Sequence, residues 1–132
     1  MNLFRDLFYA LLPPVAVVIL QVLRMQLLPD AIQWDMVAHI LGGAAIAWSA
    51  RILWTRWRNR KIIPAKIPAW IAAWCVFGAV MFAGIAWELF EFVMEQQTGW
   101  LFQPSLADTM SDFVMDLLGG AIFILATWKK HG

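Results

Sequence analysis

Six side chains with metal-ligating or acid–base chemistry recur at helical spacing in, or directly beside, three apolar segments of this sequence. They are Asp35, His39, Glu88, Glu91, Asp112 and Asp116. Within each segment the two members stand three or four residues apart, so each pair shares one face of a helix. Carboxylates with one histidine suit a divalent transition metal, and carboxylates with water suit Mg²⁺ or Ca²⁺. A carboxylate in apolar surroundings also has the chemistry of a general base. Either use requires helices that bring the three faces together.

The composition indicates where those helices lie. Of the 132 residues, 62% are hydrophobic and 14% are charged, whereas soluble domains have roughly 45–50% and about 25%. A soluble domain of this length has too little interior to bury so much apolar surface, and disordered chains are poor in aliphatic and aromatic residues. The single cysteine, Cys75, excludes a disulfide framework and a cysteine-based zinc site. The composition therefore indicates an integral membrane protein.

Four apolar segments are long enough to cross a bilayer, which takes about 20 residues. They cover about residues 7–28, 36–54, 69–94 and 108–128. Their continuous apolar character favours helices over barrel strands, in which polar and apolar residues alternate. Pro13 and Pro14 predict that the first helix kinks there or begins its regular part there. We expect an all-α fold, a four-helix transmembrane bundle that forms a single domain over residues 1–132.

The basic residues predict the orientation of the bundle. Nine of the ten fall on one side of the four segments: Arg5, Arg51, Arg56, Arg58, Arg60, Lys61, Lys66, Lys129 and Lys130. Only Arg24 falls on the other side. By the positive-inside rule, this distribution predicts that both termini are cytoplasmic. Topology and anionic headgroups account for the basic loop between the second and third segments, so no nucleic-acid partner is expected.

Eight of the nine acidic residues fall in the opposite half, although the positive-inside rule does not require this. A charge inside a bilayer costs about 2.5–3.5 kcal/mol, so these side chains must face one another, water or a cation. Neighbouring carboxylates repel, and no Lys or Arg lies in the outer half of the second to fourth segments. We therefore predict that all six side chains named above hold a divalent cation. Its identity among Zn²⁺, Mn²⁺, Mg²⁺ and Ca²⁺ stays open. Glu88 and Asp116, the deepest acids, are the predicted catalytic groups.

Several of the polar residues also have a simpler interpretation when each is taken alone. Asp35 suits the N-cap of the second helix, and Asp108 suits a cap or a first-turn position at the positive end of the fourth. Glu95 suits a position in water, and His39 a satisfied core histidine. Glu88, Glu91, Asp112 and Asp116 lie within the apolar segments, where a functional cavity is favoured over a purely structural network.

Three short blocks of these residues occur in order along the chain. They are Asp35-x-x-x-His39, Trp87-Glu88-x-x-Glu91 and Asp108-Thr109-x-x-Asp112-x-x-x-Asp116-x-x-Gly119. Together, over roughly residues 35–120, they resemble the YjdF-like family of bacterial inner-membrane proteins and, more loosely, the VanZ-like family associated with teicoplanin resistance. Met36 stands where the VanZ-like pattern has Lys, which favours the YjdF-like family. The resemblance implies a multi-pass protein of the bacterial inner membrane and implies no settled activity.

Three functions are compatible with these patterns. A metal-dependent enzyme acting on a lipid or lipid-linked substrate would use the cation to activate water or to hold a phosphate. A proton- or ion-coupled transporter, or a channel component, would use the acids and the histidine as a relay. A non-catalytic scaffold would use the cation to lock three helices together. The sequence leaves open whether the protein is an enzyme and whether it forms a homo-oligomer, and the partners it predicts are membrane lipids.

Overall fold

The computed structural model describes residues 3–27, 33–64 and 66–128, and these parts of the chain form four α-helices. The helices are α1 (Leu3–Leu27), α2 (Gln33–Asn59), α3 (Ala69–Thr98) and α4 (Leu106–Trp128). Each is long and apolar enough to cross a membrane, and the described residues contain no strand. The prediction of an all-α, four-helix transmembrane bundle is confirmed.

The interior of the bundle holds small and charged side chains, while large apolar side chains face outwards. Among the residues whose burial the structure describes, six hydrophobic residues are buried, all of them Ala or Val: Ala10, Ala45, Ala47, Ala72, Val76 and Val80. An equal number of polar residues is buried: Asp6, His39, Ser49, Glu88, Asp112 and Asp116. This arrangement suits lipid as the solvent, because outward-facing apolar side chains are at no disadvantage there and small interior residues let helices approach closely.

The central helix is α2, which packs against all three others, while α3 also packs against α4. Within the described residues, α1 has no close backbone contact with α3 or α4. The tightest crossing joins α2 and α4. A Cβ atom added at Gly43 would overlap the backbone carbonyl of Asp116, and one added at Gly119 would overlap that of Ile40. The two helices therefore meet backbone to backbone, and this contact brings His39 beside Asp116.

The bundle has an acidic end and a basic end. At the acidic end α1 and α3 finish and α2 and α4 begin; its acids are Asp35, Glu88, Glu91, Glu95, Asp108, Asp112 and Asp116. The opposite, basic end carries Arg5, Arg51, Arg56, Arg58, Arg60, Lys61 and Lys66. Lys129 and Lys130 lie outside the described residues. The side assigned to each end, and hence the cytoplasmic location of the termini, stays a prediction.

At the basic end, α1 is anchored to α2 by a buried ion-pair group. Asp6 is fully buried; its Oδ1 lies 2.5 Å from Nη1 of Arg56, and its Oδ2 pairs with Arg60. The guanidinium of Arg56 also lies over the ring of Tyr9. Helix α1 runs unbroken from Leu3 through the two prolines, so the alternative that its regular part begins at the prolines is wrong. These contacts stabilise the turns before the prolines.

Candidate metal centre

His39 lies at the centre of the polar cluster, between two aspartates of α4. Its Nε2 is 3.8 Å from Oδ2 of Asp112, and its Nδ1 is 3.4 Å from Oδ1 of Asp116. The two aspartates are one helical turn apart on α4, and all three side chains are buried. Because its two nitrogens face different carboxylates, the imidazole lies between Asp112 and Asp116, and the two aspartates do not compete for the same nitrogen.

Asp35 completes a compact group with His39 and Asp112. One ligand atom from each of the three lies within 4.8 Å of the other two. Metal–ligand bonds of about 2.0–2.4 Å place atoms on opposite sides of an ion about 4–5 Å apart. The separations in the group are therefore compatible with coordination of one ion by all three side chains.

The position of Asp35 differs from the expected helix cap. It is the third residue of α2, inside the first turn, so it does not cap the helix. Its Oδ1 accepts a hydrogen bond of 2.7 Å from Nε2 of Gln21 on α1. The carboxylate is thus held from outside its own helix. Asp108, by contrast, lies in the first turn of α4, where Ser105 Oγ accepts a hydrogen bond from its backbone N–H.

Glu88 is a buried carboxylate with one satisfied oxygen. Its Oε2 accepts a hydrogen bond of 2.7 Å from Nε2 of Gln103, and the same amide donates to the backbone carbonyl of Glu88 at 3.0 Å. Its Oε1 is buried and has no hydrogen-bond partner among the described residues. The charge of Glu88 interacts with those of His39 and Asp116. A buried oxygen without a donor is costly, so Oε1 marks a place where a proton or a cation would be stabilised.

Glu91 and Glu95 have separate local partners. Glu91 accepts a hydrogen bond of 2.9 Å from Nε1 of Trp87, one turn earlier on α3. Glu95 Oε2 accepts hydrogen bonds from the backbone N–H groups of Phe102 and Gln103, at 3.0 and 2.9 Å. The expectation that Glu95 is merely solvated is therefore wrong, because its carboxylate holds the connection between α3 and α4 in place.

The six predicted site residues thus lie at one end of the bundle in three arrangements. Asp35, His39 and Asp112 form the compact group, and Asp116 contacts the other nitrogen of the histidine. Glu88 and Glu91 flank this group from α3; they interact electrostatically with His39 and are not members of the group within 4.8 Å.

Sequence reasoning missed two amides that hold these acids. Gln21 supports Asp35, and Gln103 supports Glu88. The available signal was weak in both cases. Gln21 is a polar residue inside an apolar segment, and Gln103 belongs to a short connection in which polar residues are ordinary. Only the contact identifies a function for either.

An apolar cavity of about 150 Å³ lies beside His39, between α1 and α3. Its walls come from Pro14, Val17, Val18 and Gln21 of α1, from Ala38, Gly42, Gly43 and Ile46 of α2, and from Val80, Ala83, Gly84 and Trp87 of α3. His39 and Asp116 also line it. It lies between the two helices that lack a backbone contact with each other. Apolar walls with a few polar groups are typical of a small-molecule site.

Comparison with known proteins assigns the chain to one family. The family described as "Predicted membrane protein (DUF2238)" matches residues 23–132. That range contains α2, α3, α4 and all six predicted site residues. No curated protein and no solved structure matches the chain.

Proposed function

The chain belongs to this family of predicted membrane proteins, and we propose that the acidic end of its bundle holds a divalent cation. The observation that carries the proposal is the group of Asp35, His39 and Asp112, whose ligand atoms approach within 4.8 Å. Two carboxylates and one imidazole suit Zn²⁺ or Mn²⁺ better than Mg²⁺ or Ca²⁺, which prefer oxygen ligands alone. The two negative charges of the aspartates would be balanced by the ion.

The spacing along α4 predicts that Asp116 binds the cation directly. In this proposal Asp116 instead binds His39. Nε2 of His39 faces Asp112, and Nδ1 faces Asp116. If Nε2 held the cation, the proton of the imidazole would lie on Nδ1, which would donate a hydrogen bond to Asp116. Such a carboxylate fixes the tautomer and the orientation of a ligating histidine. Asp116 is then a positioning residue, while Glu88 offers an unpaired carboxylate oxygen next to the group.

We further propose that the site acts on a lipid or lipid-linked substrate. The supporting observation is the cavity between α1 and α3, whose apolar walls fit a hydrocarbon chain and bring it to His39 and Asp116. A bound divalent cation supplies Lewis-acid chemistry, which polarises a phosphoryl or carbonyl oxygen and lowers the pKa of water. In this scheme Glu88 Oε1 is the general base. Gln103 orients Glu88, and the apolar walls exclude bulk water.

A proton relay is the second candidate function. The observation that favours it is the imidazole set between two buried carboxylates at 3.4 and 3.8 Å. A histidine in this position can receive a proton on one nitrogen and release it from the other, and intramembrane acid–histidine chains do serve as relays. The relay needs no cation, so metal analysis separates the two functions.

The proposal includes an orientation and a finer family assignment. The nine basic residues on one side favour cytoplasmic termini, so the cation site would face the outer side of a bacterial inner membrane. The resemblance of the three acid-containing blocks to YjdF-like proteins supports the same location. If the chain forms a homo-oligomer, each chain would contribute one cation site.

The decisive experiment measures the metal content of detergent-purified protein by elemental analysis. We expect about one divalent cation per chain in the unmodified protein and a loss of that cation in Asp35→Asn and Asp112→Asn. Asp108→Asn is the matched control, because it makes the same change one turn away on α4, outside the group of three. Asp116→Asn should weaken binding by roughly 10–100-fold without abolishing it. Folded variants with unchanged metal content, or a metal-free native protein, would overturn the cation site.

Glu88→Gln separates an enzyme from a scaffold. The variant should keep its cation and lose turnover of lipid, measured by mass spectrometry of a bacterial lipid extract incubated with the loaded protein. If metal removal lowers the melting temperature and no lipid is turned over by the native protein, the cation is structural. Proton flux into proteoliposomes by metal-free protein would instead support the relay.

A further inference from the structure

A second cavity lies at the basic end, between α2 and α4, with a volume of about 540 Å³. It belongs to no part of the proposed cation site. Its lining includes two arginines of α2, Arg51 and Arg56, and the hydroxyl-bearing Thr127 of α4; none of the residues that line it is acidic. Its apolar lining includes Trp48 and Phe123. We call it the basic-end cavity.

The depth of the basic-end cavity corresponds to the border between hydrocarbon and headgroups. Arg51 lies 18 residues beyond Gln33, the first residue of α2, which is about 27 Å along the helix. Thr127 lies 21 residues beyond Leu106, the first residue of α4, which is about 32 Å. The hydrocarbon core is about 30 Å thick. Trp48 is half-exposed at this level, as interfacial tryptophans commonly are.

The polar lining is suited to an oxyanion. Arg56 uses its Nη1 on Asp6, and a guanidinium has five N–H donors, so others remain for a second acceptor. Guanidinium groups bind phosphate through paired, charge-assisted hydrogen bonds. We propose that the basic-end cavity binds the phosphate group of an anionic membrane lipid, with the acyl chains lying along the apolar side formed by Trp48 and Phe123.

A lipid fits this position better than other sources of the same chemistry. A free phosphate ion has no use for an apolar wall, and a soluble acidic protein would have to enter the bilayer to reach Arg51. A phospholipid already lies at this depth, with its phosphate beside the arginines and its chains in the hydrocarbon. Basic pockets between transmembrane helices are known to bind anionic headgroups. The proposal is independent of the cation site, which lies at the other end of the bundle.

The test is native mass spectrometry of the purified chain in detergent, titrated with phosphatidylglycerol. Phosphatidylcholine with identical acyl chains is the charge control, and inorganic phosphate is the competitor. We expect phosphatidylglycerol to bind at least about tenfold more tightly than phosphatidylcholine, the effect of one charge-assisted hydrogen bond. Millimolar phosphate should leave the lipid bound.

Three variants locate the binding. Arg51→Gln should weaken phosphatidylglycerol binding about tenfold. Arg58 is exposed and lies outside the cavity, so Arg58→Gln should leave the binding unchanged. Ala126→Phe fills the cavity without altering charge and should also abolish tight binding. Circular dichroism shows whether each variant folds. If Arg51→Gln does not fold, the phosphatidylglycerol affinity of Ala126→Phe tests the binding site instead.

Several results would overturn the basic-end cavity as a lipid site. Equal losses in Arg51→Gln and Arg58→Gln would mean diffuse attraction to the basic surface. Equal affinity for the two lipids would mean apolar packing alone, and displacement by phosphate would identify the free ion as the ligand. Metal content should not change in any of these variants, so failure here is distinguishable from failure of the cation site.

Discussion

His39 and Glu88 represent two ways of accommodating a polar side chain inside a membrane. His39 has a carboxylate facing each nitrogen, so when the ring is protonated both of its N–H groups face an acceptor. Glu88 has a donor for one oxygen and none for the other among the described residues. This asymmetry is the basis for proposing Glu88 Oε1 as the reactive oxygen and His39 as a residue that holds the site together.

The first prediction concerns the amide that supports Glu88. Gln103→Leu should lower the free energy of unfolding by about 2 kcal/mol, because it removes the amide that donates to a buried carboxylate. Thermal or denaturant unfolding in detergent measures the change. Gln97→Leu makes the same substitution at an exposed position of α3 and should be nearly neutral. Equal effects would mean that the hydrogen bonds between Gln103 and Glu88 contribute nothing specific.

At the scale of helices, the crossing of α2 and α4 determines the geometry of the proposed cation site. Gly43 and Gly119 each lie against a carbonyl of the opposite helix. A Cβ atom at either position would force the helices apart. His39 would then move away from Asp112 and Asp116.

The second prediction follows from this crossing. Gly43→Ala should destabilise the bundle by roughly 1–3 kcal/mol, as overpacking does, and should release the bound cation. Gly78→Ala is the matched control, because a Cβ atom there meets nothing within 4 Å. It should stabilise α3 by up to about 1 kcal/mol through helix propensity. Unfolding and elemental analysis of both variants are required, and retention of the cation by Gly43→Ala would contradict the prediction.

Within the described residues, helix α1 has backbone contacts with α2 and with no other helix, and polar contacts reinforce this packing near both of its ends. Asp6 pairs with Arg56 and Arg60 at one end, and Gln21 binds Asp35 near the other. The third prediction is that Arg56→Gln lowers the free energy of unfolding by about 2 kcal/mol, because it removes a partner from a fully buried carboxylate.

Arg58→Gln is the control for Arg56→Gln. It removes the same charge two residues further along α2, where the side chain is exposed. It should change the free energy of unfolding by less than about 0.5 kcal/mol. Similar melting temperatures for the two variants would show that the ion-pair group at Asp6 does not anchor α1.

At the scale of the whole molecule, charge is separated between the two ends of the bundle, and a different function is proposed for each end. Acids and His39 form the proposed cation site at one end, and arginines line the basic-end cavity at the other. The alternating direction of the four helices is what places residues from distant parts of the sequence at the same end. The formal net charge of +1 conceals this separation.

The fourth prediction concerns orientation. A reporter active only in the cytoplasm and fused after Gly132 should be active, because the positive-inside rule places the basic end there. The same reporter inserted after Gly99, in the connection between α3 and α4, should be inactive. A reporter active only outside the cytoplasm should give the reverse pattern. The opposite result at both positions would place the cation site on the cytoplasmic side.

The sequence by itself determined that the protein lies in a lipid membrane, that it has four helices and at which end of the bundle the acids lie. These properties follow from composition and from the helical period within each segment, so they need no knowledge of distant residues. The spacing also identified His39, Asp112 and Asp116 as members of shared helix faces. Expectations about single polar residues failed more often, as Asp35 and Glu95 show, since a cap or a solvated position is inferred from local context alone.

Only the tertiary structure decided which of these groups meet. Asp6 and Arg56 are 50 residues apart in sequence, and Glu88 and Gln103 are 15 apart. Their pairing depends on how each helix is rotated about its axis and on the close crossing at Gly43 and Gly119. The period of a helix identifies the residues that share a face, but the packing of backbone against backbone determines which face of the next helix they meet.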